Sequence, residues 1–148
     1  MMRTERGFTL LEAIFVLGCL SIMLAAGNIV AVKLLDVYEQ QAFIRQMEKD
    51  LYYAQMFAME KRTNVSVRIQ TNDNKYTGVA NGYGTLFTSY QPHTMKFRST
   101  GTFTITYTLL GNIQNPMTVY FTNEANSPIY KLIFQLGRGR FYFAETSG

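Results

Sequence analysis

Two short stretches carry residue types whose spacing suggests chemistry. The first holds Arg3, Arg6, Gly7 and Phe8, with Glu12 four positions beyond Phe8 at the threshold of an apolar run. The second is Gly137-Arg138-Gly139-Arg140, followed by Tyr142 and Phe143. Guanidinium groups pair well with phosphates, and aromatic faces stack on bases. Arg138, Arg140 and Tyr142 are therefore candidate DNA contacts. The plainer reading of the same residues is a tight β-turn with solvated charges and its aromatics in the core. Elsewhere the chemistry thins out. The chain has one His, His93, and one Cys, Cys19. A single Cys forms no intrachain disulfide, and neither residue has a neighbouring ligand pattern for a metal. Cys19, inside the apolar run, reads as a small buried hydrophobe. There is no Gly-x-Ser-x-Gly, no phosphate-binding loop and no paired-His zinc motif. Asp73, Glu124 and Glu145 stand in turn-like or terminal stretches and read as solvated surface. These observations argue against an enzyme and imply no cofactor and no metal.

The first stretch is open to three processing readings. From residue 13 to residue 32 there is no charge. About 20 mostly apolar residues suffice to cross a bilayer as a helix. Arg3 and Arg6 precede the run, which keeps the N-terminus cytoplasmic. A secretory peptidase would cut after the run, near Ala25-Ala26-Gly27. A lipoprotein signal would place the cut before Cys19, within Val16-Leu17-Gly18-Cys19. The third reading cuts ahead of the run, between Gly7 and Phe8. Glu12 selects the third. An ionisable group inside a membrane costs about 2.5–3.5 kcal/mol on insertion scales and usually marks function. It is a poor feature of either conventional signal. Cutting before the run leaves the apolar helix on the mature chain and creates a cationic amine at Phe8. Glu12 then lies one helical turn from that amine.

Gly7-Phe8-Thr9-Leu10-Leu11-Glu12, behind a short basic leader and ahead of an apolar helix, resembles the signal of type IV pilin-like precursors. The resemblance implies cleavage at Gly7/Phe8 by a prepilin peptidase, N-methylation at Phe8, and an assembly role for Glu12 opposite a neighbour's Phe8 amine. The likeness is strongest over residues 6–32. The length and the ending Leu136-Gly137-Arg138-Gly139-Arg140-Phe141-Tyr142-Phe143 are similar to the minor pseudopilins of Gram-positive competence pili, the ComGD family. The H-type secretion pseudopilins and T-type fimbrial subunits share the plan. The resemblance implies a structural subunit at a filament tip, joined to major and other minor pseudopilins, acting in DNA uptake during transformation. It would sit in the cell membrane first and at the cell surface, in the pilus, afterwards.

These sites need elements to hold them. Residues 33–62 contain neither Gly nor Pro, and Ile44, Met47, Leu51, Ala54 and Ala58 recur at helical spacing. They form the apolar face of a helix expected to run from Phe8 to about Lys61. Arg45, Glu48, Lys49, Asp50 and Tyr52 are expected on its polar side. After Arg62 the period changes to two. Val65, Val67 and Ile69 alternate with polar residues, and residues 75–79 read as the return strand. Further strands are expected at 86–90, 95–98, 103–109, 117–121, 129–136 and 140–143. Short connections favour antiparallel pairing. The expected fold is α+β: a long N-terminal helix packed on one antiparallel sheet, with room for a second, small one. The chain of 148 residues then divides into a leader at 1–7, a membrane and assembly helix at 8–32, its amphipathic continuation at 33–62, and a β-sheet domain at 63–148. A net charge of +4 is mild and bears on solubility more than on a specific site.

Overall fold

In a computed structural model of the chain, the described residues are 10–98, 101–123, 125–135 and 139–146, with 26–30 described by backbone alone. One helix, α1, spans Leu10–Glu60. The chain divides into two compact units, Met1–Tyr38 and Glu39–Gly148, and α1 contributes to both.

In the first unit α1 has no buried side. Leu10, Leu11, Phe15, Ile22, Met23 and Leu24 are each 70% or more exposed. Cys19 is exposed as well, contrary to the buried role expected of it. Among the described residues of this unit no side chain of the helix is buried. A helix apolar all round must be covered by something other than its own fold.

In the second unit the helix gains a dry face. Met47, Leu51, Ala54 and Ala58 are fully buried, and Ile44 and Phe43 nearly so. The i, i+3, i+4 stripe read from sequence is therefore the core face. Asp50 is a correction. It was expected on the polar side but is 8% exposed, because the sheet covers its turn of the helix. Its carboxylate accepts from the Tyr76 hydroxyl at 2.7 Å, the Ser89 hydroxyl at 3.1 Å and the Gln46 amide at 2.9 Å. A buried carboxylate is tolerable only with such donors.

α1 ends in a left-handed cap. The Thr63 amide donates to the Ala58 carbonyl at 3.1 Å, and Arg62 takes φ 48. Eight strands follow: β1 Val65–Gln70, β2 Lys75–Ala80, β3 Gly84–Tyr90, β4 Lys96–Phe97, β5 Thr102–Tyr107, β6 Thr118–Thr122, β7 Pro128–Phe134 and β8 Phe141–Glu145. They build two four-stranded antiparallel sheets, in orders β3-β2-β1-β5 and β4-β6-β7-β8. The second sheet is as many-stranded as the first, so the expectation of one sheet with a small companion is corrected. Several strands are shorter than expected. Residues 108–110 turn rather than extend, because the Gly111 amide closes on the Thr108 carbonyl at 2.7 Å. At 95–98 only Lys96–Phe97 pair as a strand.

Both sheets face the helix. The Phe43 ring lies 5.8 Å from Tyr76 of β2 and 6.3 Å from Phe121 of β6, edge-on to each. Around it gather Val65, Val67, Ile69 and Ile105 of the first sheet and Val119, Leu132, Phe134 and Phe141 of the second. Gly78 shows how closely the strands pack. A Cβ there would stand 2.4 Å from the ring of Phe87, its partner on β3, so the ring covers the glycine. The result is the α+β arrangement expected from sequence: a long N-terminal helix packed on antiparallel sheets, the type IV pilin-like fold.

Candidate functional site

Of the N-terminal site, Gly7 and Phe8 lie outside the described residues, as does the leader at 1–7. Glu12 is described. It occupies the first turn of α1 and is exposed. A carboxylate is favoured at that end by the helix dipole, at about 0.3–1 kcal/mol. Its neighbours Leu10, Leu11, Ile14 and Phe15 present 80%, 79%, 59% and 74% of their surfaces. The acid thus stands among exposed apolar side chains. Farther along, the Ser21 hydroxyl donates a hydrogen bond to the Leu17 carbonyl at 2.8 Å, which suits a polar group on an apolar helix. Among the described residues no helix is long and apolar enough to cross a membrane. The uncharged run at 13–32 includes 26–30, whose side chains are outside the description.

At the other end of the chain, Arg138 lies outside the described residues, together with Leu136 and Gly137. Arg140 and Tyr142 are both exposed, and they alternate with buried Phe141. Period two puts Arg140 and Tyr142 on one face of the hairpin and Phe141 and Phe143 on the other. Phe143 is consequently not surface aromatic. It packs 6.3 Å from Phe121 and 6.4 Å from Phe141.

Strand register shows what joins them. Tyr142 pairs with Ile133, Lys131 with Ala144 and with Tyr120, and the Arg98 amide bonds the Tyr120 carbonyl at 2.9 Å. Arg98, Tyr120, Lys131, Arg140 and Tyr142 therefore share the outward face of the second sheet. The Arg98 guanidinium lies 5.8 Å from the centre of the Tyr120 ring. Arg98, Tyr120 and Lys131 were not singled out from sequence. They come from β6, β7 and the residue after β4, and only the sheet order puts them on the face that carries Arg140. Cations interleaved with aromatic rings offer phosphates a charge and bases a stacking face.

A third feature was also beyond sequence. Gly139 has φ 66, and a Cβ on it would stand 2.1 Å from the Gly111 carbonyl oxygen and 2.2 Å from the Gln55 amide. Gln55 in turn donates to that carbonyl at 2.9 Å. The β7–β8 loop, the turn after β5 and the last turns of α1 are thereby locked together. Among the described residues no cluster of His, Cys, Asp and Glu could hold a metal.

A family model described as the prokaryotic N-terminal methylation motif matches residues 2–27. No curated protein and no solved structure matches the chain significantly. The motif covers Gly7, Phe8 and Glu12 and supports a type IV pilin-like protein, processed by prepilin peptidase and assembled with other pilins. Proteins of that kind are structural subunits.

Proposed function

We propose that the chain is a minor pseudopilin, a structural and assembly subunit of a type IV-like competence pilus required for DNA uptake in transformation. The observation that carries its filament role is the methylation motif at residues 2–27 followed by an apolar helix with Glu12 in its first turn. On this reading residues 1–7 are a leader, residues 8–32 anchor the chain in the membrane and then in the filament, and residues 63–148 display the sheets. Hydrolysis of the Gly7–Phe8 bond frees the Phe8 amine, and methylation keeps its charge. Glu12, one turn away, neutralises that amine in a neighbouring subunit, a pairing strengthened where water is excluded. The competence assignment rests on the likeness of the chain's length and its C-terminal ending. A minor pseudopilin of a type II secretion system is the alternative within the same class.

Intact-mass spectrometry of the protein from its native membrane tests the processing. The expected mature chain starts at N-methylated Phe8. A chain starting at Cys19, or after Gly27, overturns the reading. Glu12→Val is expected to leave cleavage intact and to abolish recovery of the subunit in sheared filaments. Deletion of the gene separates the two systems: transformation is expected to be lost with secretion unaffected.

The face shared by Arg98, Tyr120, Lys131, Arg140 and Tyr142 favours a second role, direct DNA contact. Its test is binding of single-stranded DNA by the full chain in detergent. Arg138→Ala with Arg140→Ala is expected to lower affinity and flatten its salt dependence. Unchanged binding removes this role without touching the first.

A further inference from the structure

A slot opens where β6 of the second sheet outruns its neighbour. β4 is two residues long, so its register covers only the Phe121–Thr122 end of β6. The Arg98 amide adds one bond, to the Tyr120 carbonyl. Beyond it, no described strand pairs with β6 on that side. From the first sheet, the edge strand β5 contributes Phe103. Phe103 pairs with wholly buried Ile69, yet Phe103 and Met117 are themselves only half-buried. The cavity has a volume of about 390 Å³. Phe97, Phe103, Met117 and Val119 wall it, and exposed Arg98, Thr118 and Tyr120 stand at its mouth.

The slot is apolar inside and cationic at the lip. No described lining residue is acidic. Lys96 precedes Arg98 by two residues and is exposed, and Lys131 pairs with Tyr120. The one acid in the described strands of this sheet, Glu145, is on β8, two strands from β6. Thr118 adds hydrogen-bonding capacity. The Phe134 amide bonds the Met117 carbonyl, and antiparallel ladder bonds alternate along a strand. The Thr118 peptide N–H and C=O therefore turn away from β7, toward the side on which β4 has ended.

These features select a ligand. A cavity of this size is at the small end of ligand pockets. Its walls suit a flat group with apolar faces, and Thr118 suits one with polar edges. A lone carboxylate would use only the cation at the lip. The outward face carries further cations interleaved with rings, and from β4 to β8 it extends about 14 Å at about 4.8 Å per strand. A polymer of phosphates and flat rings fits both parts.

We propose that the slot receives one unpaired base of a DNA strand, with Phe103 and Met117 against the ring, Thr118 at its edge and Arg98 on the adjoining phosphate. A base within a duplex is stacked and paired, so it must leave the helix to enter. Single strands and unpaired ends meet no such cost. The chain would therefore select strand ends and unpaired segments rather than the duplex as such.

The inference rests on the DNA-contact reading, and its test separates the two. Fluorescence anisotropy of the full chain in detergent compares a labelled oligothymidylate with a strand of equal length that lacks the bases. The strand with bases is expected to bind at least about fivefold tighter, the lower end of what one stacked base contributes. A duplex with an unpaired overhang is expected to outcompete a blunt duplex of equal charge. Phe103→Ala is expected to cut the preference for bases to below about twofold and to leave affinity for the abasic strand unchanged. Arg98→Gln is expected to weaken both strands alike and to lower the salt slope by about one phosphate. Phe103 also touches the core, so its variant is paired with an unfolding midpoint; the abasic comparison alters no residue and decides by itself. Equal binding of the two strands, or of blunt and overhanging duplexes, overturns the base slot. If that binding still falls with Arg138→Ala plus Arg140→Ala, the phosphate contact stands without it. Absence of binding to every probe overturns both.

Discussion

The two stretches of α1 deal with apolar surface in opposite ways. In the unit ending at Tyr38, Leu10 and Leu11 stay 80% and 79% exposed and Phe15 74%, with apolar neighbours on every side. In the unit beginning at Glu39, Met47, Leu51, Ala54 and Ala58 are wholly buried while Arg45, Glu48 and Lys49 remain outside. One helix thus follows two rules. The later stretch is stabilised by the fold it belongs to, at about 1.5–3 kcal/mol for each large apolar side chain buried. The described side chains of the earlier stretch have no such burial. On the proposed reading, in which the chain leaves a membrane and enters a filament, that division lets the helix change surroundings with the sheets' core untouched.

The sharpest test of the contrast is a matched pair of truncations, read as denaturant midpoints of the full chain in detergent. Leu51→Ala is expected to cost about 2–5 kcal/mol, as buried leucines do. Leu20→Ala, on the exposed stretch, is expected to stay within about 0.5 kcal/mol. Similar losses at both sites would mean that the earlier stretch is also part of the folded core.

Gly139→Ala probes whether the second unit extends its order to the loops. The added carbon meets the Gly111 carbonyl and Gln55, and φ 66 is unfavourable besides, so a loss of about 2–3 kcal/mol is expected. Gly82→Ala has φ 79 but open space around it, and about 1 kcal/mol is expected there. Equal effects would show that the lock between Gly139, Gly111 and Gln55 is not rigid.

Asp50→Ala is expected to cost about 1–3 kcal/mol by leaving the Tyr76 and Ser89 hydroxyls without their acceptor. Tyr76→Phe in the Asp50→Ala background should then cost less than it does alone, which a double-mutant cycle measures.

The smallest effect concerns alkaline pH. Burial first, and then the Asp50 carboxylate beside it, push the Tyr76 phenol up, and burial does the same to Tyr107. A pKa raised in the folded state means that stability is complete below the unfolded tyrosine value near 10 and is lost as pH climbs past it. Midpoints of the second unit should be level from about pH 7 to 9 and should fall by about pH 11. The tyrosine at the end of the first unit, Tyr38, is exposed, and helicity of that stretch should not follow that fall. A midpoint unchanged at about pH 11 would mean that these phenols are reached by water.

Much of this was legible in the chain itself. The helix could be placed because apolar residues recur at three and four, and such spacing is a local property. Strand positions followed from alternation, which is local too. The N-terminal motif needs no folding to be read: Gly7 and Phe8 are adjacent, Glu12 follows four positions after Phe8, and their chemistry depends on that spacing. What failed depended on partners. Asp50 looked like surface because its helical position borders the apolar stripe, and no local signal announces that Tyr76 and Ser89 will reach it. The C-terminal aromatics were open to both a surface and a core reading, and the strand divides them: Tyr142 faces out and Phe143 packs inward.

The sequence by itself determined the processing motif, the extent of α1 to within a few residues, the change of period after Arg62 and the absence of an enzyme signature. Tertiary structure alone decided that eight strands divide into two equal sheets, that Asp50 is buried, and that Arg98, Tyr120 and Lys131 join Arg140 and Tyr142 on one face. The physical reason is the same in each case. Alternation tells which way a side chain points from its own strand, whereas the neighbouring strand is chosen by long-range pairing and by how both sheets cover one helix.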